Sequence, residues 1–301
     1  MPDGATRTLR SNGPLDLTRT LRPIRRGGGD PCMRLWAGDC WRASRTPDGP
    51  ATTHLRQRGD EVEVEAWGPG SSWALQHAPD LLGLHDHAEG FEPRTPMLRD
   101  LARRFAGVRI GRTSAVAEAL APTVLEQKVT SGDARRAWVW LVRRLGEPAP
   151  GPFDLRLPPT PATLASTPSW VFHRANVERK RADTVVRAMH RACRLEETSG
   201  MTMPDAYARL QAFPGIGPWT AAEVAHVALG DADAVSVGDY HLKNQVSWAL
   251  AGEARGTDER MLELLEPWRG HRARVLRLLA AGGIGAPRFA PRMANRSIVS
   301  L

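Results

Sequence analysis

The chain has 301 residues and a formal net charge of +8 at pH 7, with an isoelectric point near 10.3. Hydrophobic residues make up 42% and charged residues 25% of it, which is typical of a globular protein of about two domains and excludes fibrous and collagen-like designs. The excess of positive charge favours a polyanionic partner, with nucleic acid first and an acidic membrane surface second.

The cysteines and the N-terminus indicate where the protein works. Cys32, Cys40 and Cys193 are too few and too scattered for a disulfide framework, a four-cysteine zinc site or an iron–sulfur cluster, so we interpret them as free thiols in a reducing cytoplasm. Residues 1–10 lack the apolar core of a signal peptide, and no segment approaches eighteen consecutive apolar residues. We therefore predict a cytoplasmic protein that is neither exported nor membrane-spanning.

Composition divides the chain into four parts. Residues 1–13 and 285–301 are rich in Gly, Pro, Arg and Ser without a helical period, which predicts a disordered N-terminal tail and a basic C-terminal tail. Residues 14–92 carry strand signals and are assigned to a small α+β domain. Residues 93–284 carry helical signals only. The expected fold class is mainly α, and α+β overall.

The strand signals are short. Residues 33–36, 52–57 and 62–67 alternate apolar and polar side chains or are β-branched, and Gly59-Asp60 separates the last two runs. This pattern predicts a hairpin in a small antiparallel sheet.

About ten helices are predicted beside the small sheet. The apolar spacing of 116–125 and of 138–145 is typical of amphipathic helices that pack side by side. Each helix begins near a residue that caps helices well. These predicted caps are Ser114, Ser131, Thr160 and Thr202.

The most informative segment is the hairpin predicted at 213–219. Helix-forming residues end at Phe213, residues 214–217 read Pro-Gly-Ile-Gly, and Pro218 suits the first position of a new helix. Such a turn brings unpaired backbone N–H groups and a positive helix end to the surface, which suits a phosphate group and predicts salt-dependent binding without base readout. An ordinary corner between two helices is the alternative for this motif alone. The predicted phosphate contacts are Gly215, Gly217, Trp219 and Thr220.

A second feature follows about twenty residues later. The apolar run 234–237 is followed by Gly238-Asp239-Tyr240, with a helix predicted to start near Tyr240. Asp239 therefore lies at a helix N-terminus. Helix capping alone is the structural alternative for this residue.

Together, residues 213–221 and the sequence Val-Gly-Asp-Tyr at 237–240 resemble the helix-hairpin-helix and Gly/Pro-Asp signature of the base-excision DNA glycosylase superfamily. Within that superfamily the chain is most similar to the bacterial 3-methyladenine DNA glycosylase II branch. The resemblance implies a helix-hairpin-helix glycosylase fold of two helical subdomains with a small N-terminal antiparallel β domain. It covers about residues 15–280, and its further matching segments are 125–130, 158–165, 179–183 and 267–269.

The resemblance implies a catalytic role for Asp239. A fixed carboxylate stabilises the positive charge that develops on the deoxyribose as the base departs, and it can orient or deprotonate water. A base alkylated at a ring nitrogen is already cationic and leaves easily. The implied activity is therefore hydrolysis of the N-glycosidic bond of alkylated purines flipped out of duplex DNA, which leaves an abasic site.

Related enzymes that also cleave the strand carry a lysine nucleophile where this chain has Trp219, so the resemblance implies a monofunctional enzyme. Trp219 is expected to stack on the flipped base, with core packing as the alternative. The implied substrate-binding residues are Trp219, Tyr240, Gln127 and Lys128. No metal and no cofactor are expected, apart from a monovalent cation that the hairpin carbonyls are able to hold.

Lys243 lies four residues beyond Asp239 on the same helical face. It is able to pair with that acid or to contact a phosphate, and we favour the phosphate. Pro218 stands where the branch often has a basic residue, and Lys128 where it has an apolar wedge. Arg277 is a candidate replacement for a pocket aromatic.

Two alternative functions remain at this point. One is a DNA-binding damage sensor without turnover, against which Asp239 argues. The other is a bifunctional lyase acting on oxidised bases, for which Lys128 and Lys180 are the available amines. In each case the expected partner is double-stranded DNA with damaged bases, bound by a monomer associated with the nucleoid.

Other polar clusters are interpreted as structural. His85-Asp86-His87 offers two histidines in a loop without a third ligand, which falls short of a metal site. Glu126 and Glu223 are interpreted as solvated or pairing residues of helices.

Overall fold

The computed structural model describes residues 4–287 and Ile298. The strands are β1 (Ala5–Arg10), β2 (Met33–Trp36), β3 (Asp39–Thr46), β4 (Gly49–Arg58) and β5 (Glu61–Trp67). The helices are α1 (Leu17–Leu21), α2 (Ser71–Leu81), α3 (Pro96–Arg104), α4 (Val116–Leu125), α5 (Ser131–Leu145), α6 (Pro161–Ser166), α7 (Ser169–Arg174), α8 (Arg179–Met189), α9 (Ala192–Glu196), α10 (Met203–Gln211), α11 (Pro218–Val224), α12 (Leu242–Ala251), α13 (Asp258–Leu265) and α14 (Arg272–Ala281). Among these helices, none has the length and apolar character needed to cross a membrane.

The strands form one antiparallel sheet in the order β1-β5-β4-β3-β2. The predicted hairpin is confirmed: Arg58 pairs with Glu61, and Gly59 takes a positive φ of 64° in the turn. The sequence patterns missed β3, which joins β2 to β4. One face of the sheet packs against α1 and α2, where Leu17, Leu55 and Leu82 are fully buried.

The prediction of a disordered tail over residues 1–13 is wrong for residues 5–10, which form β1 and pair with β5 from Ala5↔Ala66 to Arg10↔Glu61. β1 is an edge strand in which only Leu9 is buried. A strand with one buried apolar side chain has no hydrophobic pattern by which it can be recognised. The predicted C-terminal tail lies outside the described residues except for Gly285, Ala286, Pro287 and Ile298.

The helices form two subdomains, as predicted. The first subdomain comprises α4 to α11 around a core that includes Leu120, Leu141 and Val185. The second comprises α3 and α12 to α14 around a core that includes Leu98 and Val275. Between α11 and α12, the chain leaves the first core and runs into the second. The described part of the chain holds fourteen α-helices, more than the ten or so expected, because several have only five or six residues.

Two of the four predicted caps are confirmed. The hydroxyls of Thr160 and Thr202 accept backbone N–H groups in the first turns of α6 and α10. The cap of α5 is Thr130 and not Ser131, because its hydroxyl accepts the N–H of Asp133. Ser114 lies two residues before the start of α4 with a positive φ of 50°, and the cap position of that helix is Ala115.

Arginines of α14 connect the second subdomain to the N-terminal part of the chain. Arg274 makes two hydrogen bonds, of 2.8 and 2.6 Å, to Asp86, and both side chains are buried. Arg277 donates to the carbonyl oxygens of Arg19 and Thr20 at 2.6 and 3.3 Å. The interpretation of Arg277 as a replacement for a pocket aromatic is therefore wrong, because its guanidinium is occupied by the end of α1.

The His85-Asp86-His87 cluster binds protein groups. Asp86 accepts from Arg274 and from the backbone N–H of Ile110, and His85 Nδ1 lies 2.7 Å from Asp80 Oδ1. Over residues 4–287, no three His, Cys, Asp or Glu side chains are grouped as a metal site would require. All three cysteines are free, and Cys32 and Cys40 are buried.

Candidate functional site

The predicted hairpin is present between α10 and α11. The N–H of Ile216 donates to the carbonyl of Phe213 at 3.0 Å and closes the turn. Gly215 has a φ of +96°, which favours glycine, and Gly217 precedes Pro218 at the start of α11. Pro218 has no N–H group and so costs no hydrogen bond at this position.

The two hairpin glycines, Gly215 and Gly217, have different structural roles. A Cβ on Gly215 would collide with the side chain of Thr184 on α8, so this glycine lets the hairpin pack against the first subdomain. A Cβ on Gly217 would meet no atom within 4 Å, and Gly217 is exposed. The surface at Gly217 is therefore open to a ligand that approaches the backbone closely.

This difference allows a clean test of the predicted phosphate site. We expect Gly217→Ala to fold like the wild type and to bind undamaged duplex DNA about tenfold more weakly, because a methyl group holds a phosphate away from the N–H groups of α11. Fluorescence anisotropy at fixed salt measures this affinity. Gly200→Ala is the matched control, since a Cβ there also meets open space. Equal affinity of Gly217→Ala and the wild type would contradict phosphate binding at this turn.

Asp239 is held in place by the backbone of the turn that leads into α12. Its Oδ1 accepts the N–H groups of His241 and Leu242 at 2.7 and 2.8 Å, so the residue caps the turn that leads into α12 and lies ahead of the cap position, His241. The helix begins at Leu242, two residues later than predicted. Capping occupies only Oδ1, and the half-buried Asp239 keeps Oδ2 for other contacts.

Trp219 lies next to that second oxygen. Its indole Nε1 donates to Asp239 Oδ2 over 3.4 Å, which joins the N-terminus of α11 to the turn before α12. Trp219 is only partly buried and belongs to none of the described hydrophobic cores. Its position therefore differs from that of a packing residue, and its ring lies where a group placed against Asp239 would meet it.

The loop between α4 and α5 contacts the hairpin through Gln127. The Gln127 amide donates to the carbonyl of Gly215 at 2.9 Å and to the hydroxyl of Thr220 at 2.8 Å. Lys128, the next residue, is exposed and has a positive φ of 56°, so it projects from the end of this loop. Tyr240, next to Asp239, is 72% exposed.

Two predicted phosphate contacts have other partners. Thr220 is 2% exposed and its hydroxyl is taken by Gln127, so its side chain supports the hairpin, and the predicted phosphate contact of Thr220 concerns its backbone N–H alone. Lys243 Nζ lies 3.5 Å from Asp258 Oδ2, and the alternative in which Lys243 pairs with Asp239 is not observed. Asp258 also accepts the N–H of Gly238 and so supports the turn that carries Asp239.

The sequence interpretation missed Glu223. Glu126 pairs with Arg26 as expected, at 3.4 Å, but Glu223 forms no ion pair within residues 4–287. Glu223 is half-buried, and its carboxyl accepts a hydrogen bond from the hydroxyl of Ser236. Burial raises the pKa of Glu223, and the nearby charges of Glu126 and Asp239 raise it further. The available signal was its spacing, since Glu223 follows Trp219 by four residues on one helix face.

No protein-family model and no curated protein matches the chain. Solved structures do match. A 3-methyladenine DNA glycosylase from Archaeoglobus fulgidus superposes with a TM-score of 0.78 at 20% identity, covering 91% of this chain and 97% of the other. The apo form of an 8-oxoguanine glycosylase/lyase from Clostridium acetobutylicum gives a TM-score of 0.72 at 13% identity, covering 93% and 96%. A 3-methyladenine DNA glycosylase from Schizosaccharomyces pombe, in complex with abasic DNA, gives 0.52 at 17% identity, covering 64% and 93%.

The first two of these superpositions each cover more than nine tenths of both chains. The chain therefore has the helix-hairpin-helix DNA glycosylase fold, with two helical subdomains and a small N-terminal antiparallel β domain. The predicted fold class is confirmed.

Proposed function

We propose that this protein is a DNA glycosylase that flips an alkylated purine out of duplex DNA and hydrolyses its N-glycosidic bond, leaving an abasic site for base excision repair. The observation that carries the proposal is the arrangement of Asp239. Two backbone N–H groups fix one of its oxygens, and the other lies against Trp219 at the start of the hairpin helix. The fold shared with other DNA glycosylases supports the same conclusion.

The chemistry requires little beyond one fixed negative charge. As the bond to the base breaks, positive charge grows on the sugar, and a carboxylate held in a preorganised position stabilises that charge without having to move. The same oxygen is able to orient or deprotonate the attacking water. A base alkylated on a ring nitrogen departs as a neutral molecule and needs no proton donor, so a single acid suffices.

DNA would be held at several points around Asp239. The open backbone at Gly217 would bind a phosphate, Trp219 would stack on the flipped base, and the exposed Lys128 and Tyr240 would contact the duplex beside it. Phosphate contact by Lys243 remains part of the proposal and would require its amine to be shared with Asp258. The expected partner is double-stranded DNA, bound by a monomer in the cytoplasm at the nucleoid.

The proposal includes a monovalent cation at the hairpin. The carbonyls of Phe213 and Gly215 each accept one hydrogen bond, from Ile216 and Gln127, and a carbonyl oxygen has a second lone pair available for an ion. The ion would keep the turn rigid and would take no part in bond cleavage.

We expect free base to be released from methylated duplex DNA without strand cleavage and without a covalent adduct. Trp219 offers no amine at the position of a lyase lysine, so borohydride should trap no enzyme–DNA species while chromatography detects the released base. An adduct would contradict the monofunctional assignment, and its loss in Lys128→Ala would identify the amine. Binding of damaged DNA without base release would favour the damage-sensor alternative.

A further inference from the structure

Glu223 lies beside the proposed catalytic acid. It follows Trp219 by one helical turn on α11, and Trp219 contacts Asp239 through its indole. Ser236 links the two acids, because its hydroxyl donates to Glu223 and its carbonyl accepts the N–H of Asp239 at 3.1 Å. The two carboxyl groups therefore belong to one site.

The bonding of Glu223 leaves one oxygen free. Ser236 occupies Oε1, whereas Oε2 accepts no hydrogen bond from residues 4–287 and is not buried from solvent. The cation that acts on it, Arg26, is already engaged by Glu126 and Thr123. A half-buried carboxyl without an ion-pair partner is partly desolvated and lowers the stability of the folded protein, so folding gives no reason for an acid at this position.

The charge at this site is opposite to that of the whole molecule. The negative charges of Glu126 and Asp239 both act on Glu223, and Arg26 supplies the compensating positive charge. The protein as a whole carries a net charge of +8. An acidic site on a basic protein repels phosphate and attracts a cation, and in duplex DNA the group that bears a fixed positive charge is a base alkylated at a ring nitrogen.

We propose that Glu223 is a specificity-determining residue whose free carboxylate oxygen binds the flipped base, accepts a hydrogen bond from its N–H edge and favours cationic bases over neutral ones. The inference rests on the proposed function, since it assigns the base to the space beside Asp239. Trp219 contributes stacking to any base. Glu223 adds a hydrogen bond and an electrostatic attraction, and only a positively charged base with an N–H donor makes both.

The test measures binding, so that it does not depend on turnover. The probe is a duplex with one 7-methylguanine on a 2′-fluorinated sugar, which resists hydrolysis, compared with the same duplex carrying guanine. We expect the wild type to prefer the methylated duplex about tenfold or more, and Glu223→Gln to reduce this preference to about twofold, with an affinity for the guanine duplex that is equal or higher because a negative charge has been removed. Glu196→Gln is the matched control, because burial also raises the pKa of Glu196 but its carboxylate binds the backbone of α4.

Glu223→Gln is expected to fold. Its amide oxygen can still accept from Ser236, and a carboxyl whose pKa is raised by burial destabilises the folded state at any pH above its unfolded pKa. Melting temperatures should therefore be equal to or above that of the wild type. The wild type alone provides a second measurement: it should bind cationic 7-methylguanine more tightly than the neutral isostere 7-methyl-7-deazaguanine.

The two binding measurements can each overturn the proposed role of Glu223. An unchanged preference in Glu223→Gln, or equal binding of the cationic base and its neutral isostere by the wild type, would overturn it. A preference that depends on Glu223 in a protein that releases no base would support the recognition role and reject the glycosylase activity. The two proposals therefore fail separately.

Discussion

Asp239→Asn should abolish most of the base release while leaving the protein folded and able to bind DNA. The amide oxygen of asparagine can still accept the N–H groups of His241 and Leu242, so the start of α12 is preserved. The negative charge beside the sugar is lost, and removal of one preorganised electrostatic group of this kind costs about 100- to 1,000-fold in rate. We expect a decrease of that size in the single-turnover rate of base release.

The same experiment separates catalysis from binding. Removing a negative charge from a surface that binds phosphate should leave the affinity of Asp239→Asn for damaged duplex equal or higher. Asp205→Asn is the matched control, because Asp205 is an exposed acid in the first turn of α10, near the hairpin in sequence. Full activity of Asp239→Asn would remove the assigned mechanism. Equal losses in both variants would point to a general effect of charge.

Asp86→Ala should cause the largest loss of stability among single substitutions outside the cores. Asp86 is buried, makes two hydrogen bonds with Arg274 and accepts the N–H of Ile110 at 2.9 Å. Removing it leaves a buried guanidinium and an N–H group without partners, which costs about 3–5 kcal/mol. For a chain of this size we expect the melting temperature to fall by about 10 °C.

Two further variants test the reason for this loss. Glu266→Ala removes an exposed ion pair with Arg269 and should leave the melting temperature unchanged. The double variant Asp86→Leu with Arg274→Leu should recover much of the stability, because no buried charge remains without a partner. A loss in Asp86→Ala no greater than in Glu266→Ala would show that water reaches the pair and that it does not hold α14 to the N-terminal part.

The hairpin and Asp239 were predictable because their signals are local. Proline and glycine restrict the backbone by their own covalent structure, so the Pro-Gly-Ile-Gly-Pro run of 214–218 specifies a turn and a helix start in any surroundings. The β4–β5 hairpin was predictable for the same reason, from Gly59-Asp60 between two alternating runs.

Polar residues with distant partners were not predictable. Arg274 and Asp86 are 188 residues apart, and nothing in either neighbourhood identifies the other. Arg277 was misassigned because its partners are carbonyl groups of α1, and every residue carries a carbonyl. β1 was missed because a partly exposed edge strand is defined by the strand it pairs with.

The sequence by itself determined the class of fold, the hairpin and the identity of the candidate catalytic acid, because these depend on backbone restriction and on local apolar spacing. Only the tertiary structure decided what surrounds that acid. It placed Trp219 against one oxygen of Asp239, Gln127 against the hairpin and the half-buried Glu223 in the same site. The burial of a side chain and the charges around it depend on segments that are far apart in the sequence. These properties are defined only after the segments have packed together.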